Sequence, residues 1–249
     1  MDEPRYLQWQ KFQNLTVQPP FIVRLDGNDF HKLPPKYKFK KPFDEKFHFL
    51  MVNTAKNLLT KTEFKISLAY TTSDEINLLF SDNFIPYNGR IEKILSLLAS
   101  YATSAFQFYL LKVSSKKEFL SFDAKIIKVN SFNDILEYFS WRTFTSIRNF
   151  LNAYGKTILG EKNILRLKGK ELVEKLIEKG FNVDSMPKWQ KYGTTIYWET
   201  VKKEGFNPVT GKKVYTFRKK LAKKIVDFTD EKGKSWFKSY FKYLERKFQ

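Results

Sequence analysis

The chain contains no cysteine, which excludes disulfide bridges, zinc–thiolate sites and cysteine nucleophiles together. It has only two histidines, His31 and His48, so a histidine-rich metal centre is excluded as well. The opening residues Met1-Asp2-Glu3-Pro4-Arg5 lack the basic and apolar blocks of a signal peptide, and a cytoplasmic location is expected. No internal repeat, low-complexity tract or interdomain linker stands out, and no continuous basic amphipathic helix with a lipid-facing side is evident. One uncharged stretch, Ile94 to Leu111, approaches membrane-spanning length. It carries Ser96, Ser100, Thr103, Ser104 and Gln107, so a buried helix is expected and no membrane partner.

Positive charge is abundant. Lys and Arg number 45 against 26 Asp and Glu, a net charge of +19 and a pI near 9.7, so a polyanion, with nucleic acid first, is the expected partner. The 249 residues, 42% of them hydrophobic, suffice for one large domain or two small ones. From Lys212 to Gln249 thirteen basic residues face four acidic ones, about half of the excess charge. Trp236, Phe237, Tyr240, Phe241, Tyr243 and Phe248 interleave with those lysines. Such a pattern suits base stacking with phosphate contacts, or an amphipathic helix that docks its aromatic face on the core while its lysines stay solvated and free to meet RNA.

Periodicity predicts an α+β chain. Phe21-Ile22-Val23 reads as a strand. Pro42, Asp44 and Glu45 introduce a helix that runs to about Leu59. A strand over about 65–70, a Ser73-Asp74-Glu75 turn and a strand over 76–80 follow. This β-α-β-β order begins a ferredoxin-like split βαβ unit, which a helix over 91–111 and a strand over 124–129 complete. Ser131 to Asp134 has capping-box spacing ahead of a helix bearing Ile135, Tyr138, Phe139 and Arg142. A short helix over 171–179 closes at Gly180, and strands over 195–201 and 213–217 form a hairpin.

Two short apolar runs end in carboxylates, at Leu25-Asp26-Gly27 and at Ser73-Asp74-Glu75. If their strands are neighbours, Asp26 and Asp74 reach one sheet edge and can share a hard cation such as Mg²⁺, which keeps water and substrate phosphates for its remaining positions. That is the chemistry of phosphoryl or nucleotidyl transfer. Asp-Gly and Ser-Asp are also ordinary turn residues, and the residues alone leave both readings open.

An ordered set of motifs then resembles one family. Arg24-Leu25-Asp26-Gly27-Asn28-Asp29-Phe30-His31-Lys32 is similar to the R-x-D-G-x-x-F-H segment of tRNA-His guanylyltransferases and the related Thg1-like proteins. Tyr70 to Glu75 resembles the family's S-D-E motif, Tyr138-Phe139-Ser140-Trp141-Arg142 its Y-[FL]-S-W-R, Arg166-Leu167-Lys168-Gly169 its R-L-x-G-T region, and Lys191-Tyr192-Gly193-Thr194 its R-K-G-T. The resemblance spans roughly residues 20 to 200. It implies a polymerase-palm fold with a ferredoxin-like antiparallel sheet, occupying 1–204 with helical elaborations. Residues 205–249, the far part of the hairpin and a basic aromatic extension, would pack on it.

The resemblance further implies nucleotide addition in the 3′–5′ direction at the 5′ end of tRNA, after activation with ATP. Asp26, the Gly27 carbonyl and Asp74 would hold two Mg²⁺ ions, with Glu75 beside them as a third catalytic carboxylate. Asn28, Asp29, Phe30, His31 and Ser73 would contact a nucleoside triphosphate, ATP or GTP among them. Lys32, Arg142, Asn149 and Lys191 would contact phosphate or tRNA, and a homotetramer is the expected assembly. Where the eukaryotic enzymes carry H-I-N-N-L-Y-N, this chain has Ser146-Ile147-Arg148-Asn149-Phe150-Leu151-Asn152, and Asn28 replaces a basic residue. The missing histidine favours the Thg1-like branch, which repairs 5′-truncated tRNA against a template, over addition of a single G to tRNA-His. A nucleotidyl cyclase on the same fold would not need +19 of charge. A non-catalytic RNA-binding protein would leave the acidic turns structural.

Overall fold

The computed structural model describes residue 12 and residues 14–247. The first half contributes β1 (Phe21–Gly27), α1 (Leu33–Tyr37), α2 (Glu45–Thr60), β2 (Leu68–Thr72), β3 (Glu75–Phe80), α3 (Ile91–Val113) and β4 (Phe122–Lys128). The second contributes α4 (Phe132–Leu159), α5 (Glu161–Ile164), α6 (Gly169–Glu178), α7 (Lys188–Tyr192), β5 (Thr194–Phe206), β6 (Lys213–Lys224) and α8 (Glu231–Lys247). All strand pairs are antiparallel, and the sheet order is β4-β1-β3-β2-β5-β6. The first four are the split βαβ unit expected from the sequence, and β5 joins on the free edge of β2.

The central strands read as nearly continuous apolar runs because both sheet faces are covered. Phe21, Val23, Leu25, Ile76, Leu78 and Ile196 enter one core with α2 and α3. Ile22, Leu68, Tyr70 and Leu79 enter the other, closed by Ile135, Tyr138 and Phe139 of α4 and by Phe237, Tyr240 and Leu244 of α8. The aromatic side of α8 is thus a wall of the second core, with the Tyr240 hydroxyl donating to the Ser67 carbonyl at 2.8 Å. Phe248 lies outside the described residues. β5 and β6 pair without a break from Thr195–Lys224 to Phe206–Lys213, so residues 204 and 205 lie inside a strand.

Local chemistry explains the helix starts. Asp44 caps α2 by accepting from the amides of Lys46 and Phe47 at 2.7 and 3.1 Å, so the helix begins at Glu45, shortly after the proline expected to introduce it. Ser131 and Asp134 form a reciprocal capping box on α4. α3 is long and apolar enough to cross a membrane by length and composition alone. In the fold it buries Ile94, Leu98, Ala102, Phe106 and Leu110, while Tyr101, Phe108 and Leu111 on its other side are exposed. Asp26 and Gly27 belong to β1 rather than to a turn after it. Pairing with β3 as far as Asp26 and with β4 as far as Gly27 holds the strand extended to its last residue.

Candidate active site

The register of β1 places Asp26 opposite Glu75 at the start of β3 and opposite Asp123 of β4. Ser73 and Asp74 form the two-residue connection between β2 and β3, with Ser73 in the left-handed region at φ 50°. The amide of Gly27 donates to the Asp74 carbonyl at 3.1 Å, so the end of β1 and the β2–β3 turn are tied to each other. A Cβ on Gly27 would fall 2.4 Å from the Phe30 ring, which explains why the chain needs glycine directly after Asp26. Phe30 is buried among Phe47, Phe106 and Phe122 and anchors the 3₁₀ turn that carries His31.

Electrostatics at this sheet edge are strongly acidic. Burial, reinforced by the negative charges of Asp74, Glu75 and Asp123, pushes the Asp26 carboxyl up to about 6, with Arg24 opposing. Burial also raises Asp74, against hydrogen bonds from its own backbone and Ser73 that pull it down. Glu75 is committed elsewhere. Its Oε1 accepts from Arg142 Nε and from Asn77 Nδ2, each at 2.8 Å, and its Oε2 accepts a second bond from the Arg142 guanidinium. Asn77 Oδ1 in turn accepts from the Tyr138 hydroxyl at 2.6 Å. Glu75 therefore fixes the helix α4 to the sheet beside Asp26, and Arg142, expected to contact phosphate, is turned onto Glu75.

α4 runs 28 residues, about 42 Å, so one of its faces can span the site. Arg142, Ser146, Asn149 and Phe150 line a cavity of about 320 Å³ together with Asp26, Asp74 and Glu75. Thr72 Oγ1 and Ser146 Oγ lie 2.6 Å apart, linking β2 to α4 at the cavity wall. A second cavity of about 200 Å³ adjoins the same Ser73-Asp74 turn and is bordered by Phe30, His31, His48 and Trp189. Pro42, Phe43 and Gln190 line both.

Several expected contacts sit apart from this groove. Asn28 bonds Ser121 through its amide and its side chain, at 2.9 and 3.3 Å. Lys32 pairs with Asp29 at 2.7 Å, both exposed. Lys191 is largely buried, 3.2 Å from Asp184, and lines neither cavity. The neighbouring Gly193 is required because a Cβ there would lie 2.5 Å from the Thr71 carbonyl, where α7 passes into β5. Conversely, sequence reading missed His48, which stacks on Trp189 with ring centroids 4.2 Å apart and meets the Thr194 hydroxyl at 3.0 Å. Burial, with the charge of Lys223, lowers its pKa to about 4. No local signal marks it, since it lies within α2 and finds Trp189 only through the fold.

A family model for tRNAHis guanylyltransferase (Thg1) matches residues 5–130, just over half of the chain. The chain belongs to the tRNAHis guanylyltransferase family. It is 31% identical to an uncharacterized protein of Acanthamoeba polyphaga mimivirus, over 97% of this chain and 91% of that one. It is 29% identical to the tRNA(His) guanylyltransferase of Saccharomyces cerevisiae, over 76% and 86% of the two chains. A bacterial Thg1-like protein solved in complex with ATP superposes with a TM-score of 0.70 at 27% identity, covering 78% of this chain and 86% of that one. This member of the Thg1 family is therefore a nucleotidyltransferase with the family's palm-like α+β fold.

Proposed function

We propose that this Thg1-family enzyme adds nucleotides to the 5′ end of tRNA in the 3′–5′ direction and against a template, the repair reaction of the Thg1-like branch. The observation that carries this reading is the pairing of Thr72 with Ser146 at 2.6 Å beside the Asp26–Asp74 edge. Ser146 stands where the eukaryotic segment has histidine, so the difference falls on the wall of the catalytic groove rather than on a remote surface. ATP bound to the bacterial relative supports nucleoside triphosphates as co-substrates here.

The donor set at the groove suits magnesium. Asp26, Asp74 and the Gly27 carbonyl are oxygen ligands, and the crowding that raises Asp26 is what a divalent cation would relieve. Among the described residues no cluster of three or more His, Asp or Glu converges on one point, so water and substrate phosphates would complete the coordination. When bound there, Mg²⁺ would favour the attacking hydroxyl's ionisation and neutralise the departing pyrophosphate. The protein's own part is positional. Ser73 and the exposed His31 would face a triphosphate, Asn149 in the groove wall would meet phosphate or RNA, and Glu75 with Arg142 ties α4 to the sheet beside Asp26. Lys32, exposed, would reach tRNA only outside this groove, and Lys191 is held inside the fold beside Asp184. By the family resemblance the working unit is a homotetramer, which light scattering in solution tests.

A labelled-nucleotide assay with Mg²⁺ decides the reaction, using a tRNA that lacks its first nucleotide beside an intact tRNA-His that lacks the extra G. Extension of the truncated tRNA to the templated length, abolished in Asp26→Ala and Asp74→Ala, is expected. Addition of a single G to tRNA-His without extension of the truncated substrate would overturn the templated reading.

A further inference from the structure

The His48–Trp189 stack borders not one cavity but two. Besides the pocket at Ser73-Asp74, both rings line a cleft of about 410 Å³ whose other walls include Lys56, Asn53 and Phe49 of α2 and Lys223 of β6. Lys223 is exposed and Lys56 half-buried. Both line the same cleft, and burial with the charge of Lys223 lowers the pKa of Lys56. Among the described residues neither lysine forms an ion pair, although Glu45 also borders the cleft and Lys224 beside them points its ammonium at the Trp236 ring, 5.1 Å away. Phe49 is 55% exposed, with its ring edge-on to Tyr109 at 6.3 Å.

Two like charges held together without a protein counterion raise the energy of the free protein, and an external anion offsets that cost. An exposed aromatic ring beside them is the pairing that single-stranded nucleic acid uses, with phosphates on the cations and a base on the ring. We infer that this cleft is a second binding site, for the backbone of an RNA strand, with phosphates at Lys56 and Lys223 and a base against Phe49. The strand would continue past the His48–Trp189 partition from the groove at Asp26 and Asp74. That continuation rests on the tRNA-end reading above, whereas the cleft's affinity for RNA can be measured without catalysis.

The test uses the full chain and three probes: a fluorescent single-stranded oligoribonucleotide, tRNA and ATP, each titrated at several salt concentrations. Lys56→Gln/Lys223→Gln is expected to weaken oligonucleotide and tRNA binding about tenfold and to flatten the salt dependence by about 0.7 for each phosphate no longer neutralised. Lys56→Arg/Lys223→Arg should retain binding, and ATP affinity should stay within about twofold. Equal weakening by the exposed pair Lys170→Gln/Lys175→Gln on α6 would reduce the effect to general charge and overturn the site. A loss of ATP binding as large as that of RNA would make free nucleotide the ligand and overturn the strand assignment. Should the wild-type protein extend no tRNA while the cleft variants still lose oligonucleotide affinity, the reaction assigned above fails and the cleft stands.

Discussion

Two hairpins of one sheet meet opposite fates. In the β2–β3 hairpin every residue of β3 is buried, the turn has two residues, and its carboxylates face a groove closed by α4. In the β5–β6 hairpin the inner end is buried at Thr194 to Ile196, but from Lys202 outward both strands are largely exposed, with Phe206, Tyr215 and Phe217 open to solvent. Its charges pair across the strands at the surface, as Lys213 does with Glu204 and as Lys202 does with the Tyr215 ring at 3.7 Å. Both hairpins have strand-forming residues, yet the one sandwiched between helices buries Glu75, whereas Glu204 on the other is exposed. Burial, rather than β-propensity, distinguishes a candidate catalytic edge from a solvated ribbon.

The largest test of that contrast removes Asp74 of the inner hairpin, or Asp26 of the adjoining β1, and sets it against Glu204 of the ribbon. Asp26→Ala or Asp74→Ala should lower nucleotide addition by at least about 10³-fold, about 4 kcal/mol, whereas Glu204→Ala should change it less than about twofold. Similar effects of the two would break the comparison. Next come the aromatics. Phe237→Ala opens a cavity in the second core and should cost about 3–5 kcal/mol of stability, while Phe217→Ala on the ribbon should stay within about 0.5 kcal/mol, both read from urea denaturation.

The ion pairs sharpen the comparison further. Glu75→Ala leaves the Arg142 guanidinium, 12% exposed, without its carboxylate and should destabilise by about 3 kcal/mol. Removing Glu204 from its exposed lysine should cost no more than about 1 kcal/mol, and a double-mutant cycle at each pair measures the difference. A further contrast, read against pH, concerns His48 at the margin of the buried region. Its folded-state pKa of about 4 lies below the ordinary 6.5, so the fold favours the neutral ring. Stability from this group is present above pH 6.5 and is lost as pH falls from 6.5 through 4. His48→Gln should therefore show a smaller fall in urea midpoint than the wild type between about pH 7 and about pH 4.5.

Much of this molecule is legible in its residues. The strand runs around Val23 and Ile76 carry the apolar content that buried strands need, and Ser131 with Asp134 marks the start of α4 through the chemistry of a cap. Asp26 and Asp74 could be paired on paper because a split βαβ order puts the end of β1 beside the turn that opens β3. Glu75 and Arg142 are 67 residues apart, and nothing local says that one is the other's partner. The same holds for Lys191, whose motif suggests phosphate but whose ammonium is held beside Asp184.

Sequence alone determined the order of the strands and the long helices, the two acidic strand ends, the basic excess and the family likeness, because each depends on residue types within a few positions of one another. Tertiary structure decided which groups share a site. It turned Arg142 onto Glu75, brought Ser146 to Thr72, stacked His48 on Trp189 and left Lys56 beside Lys223. The physical reason is that such contacts depend on how helices lie across a sheet, a geometry set by the packing of two cores together and not written in any one segment.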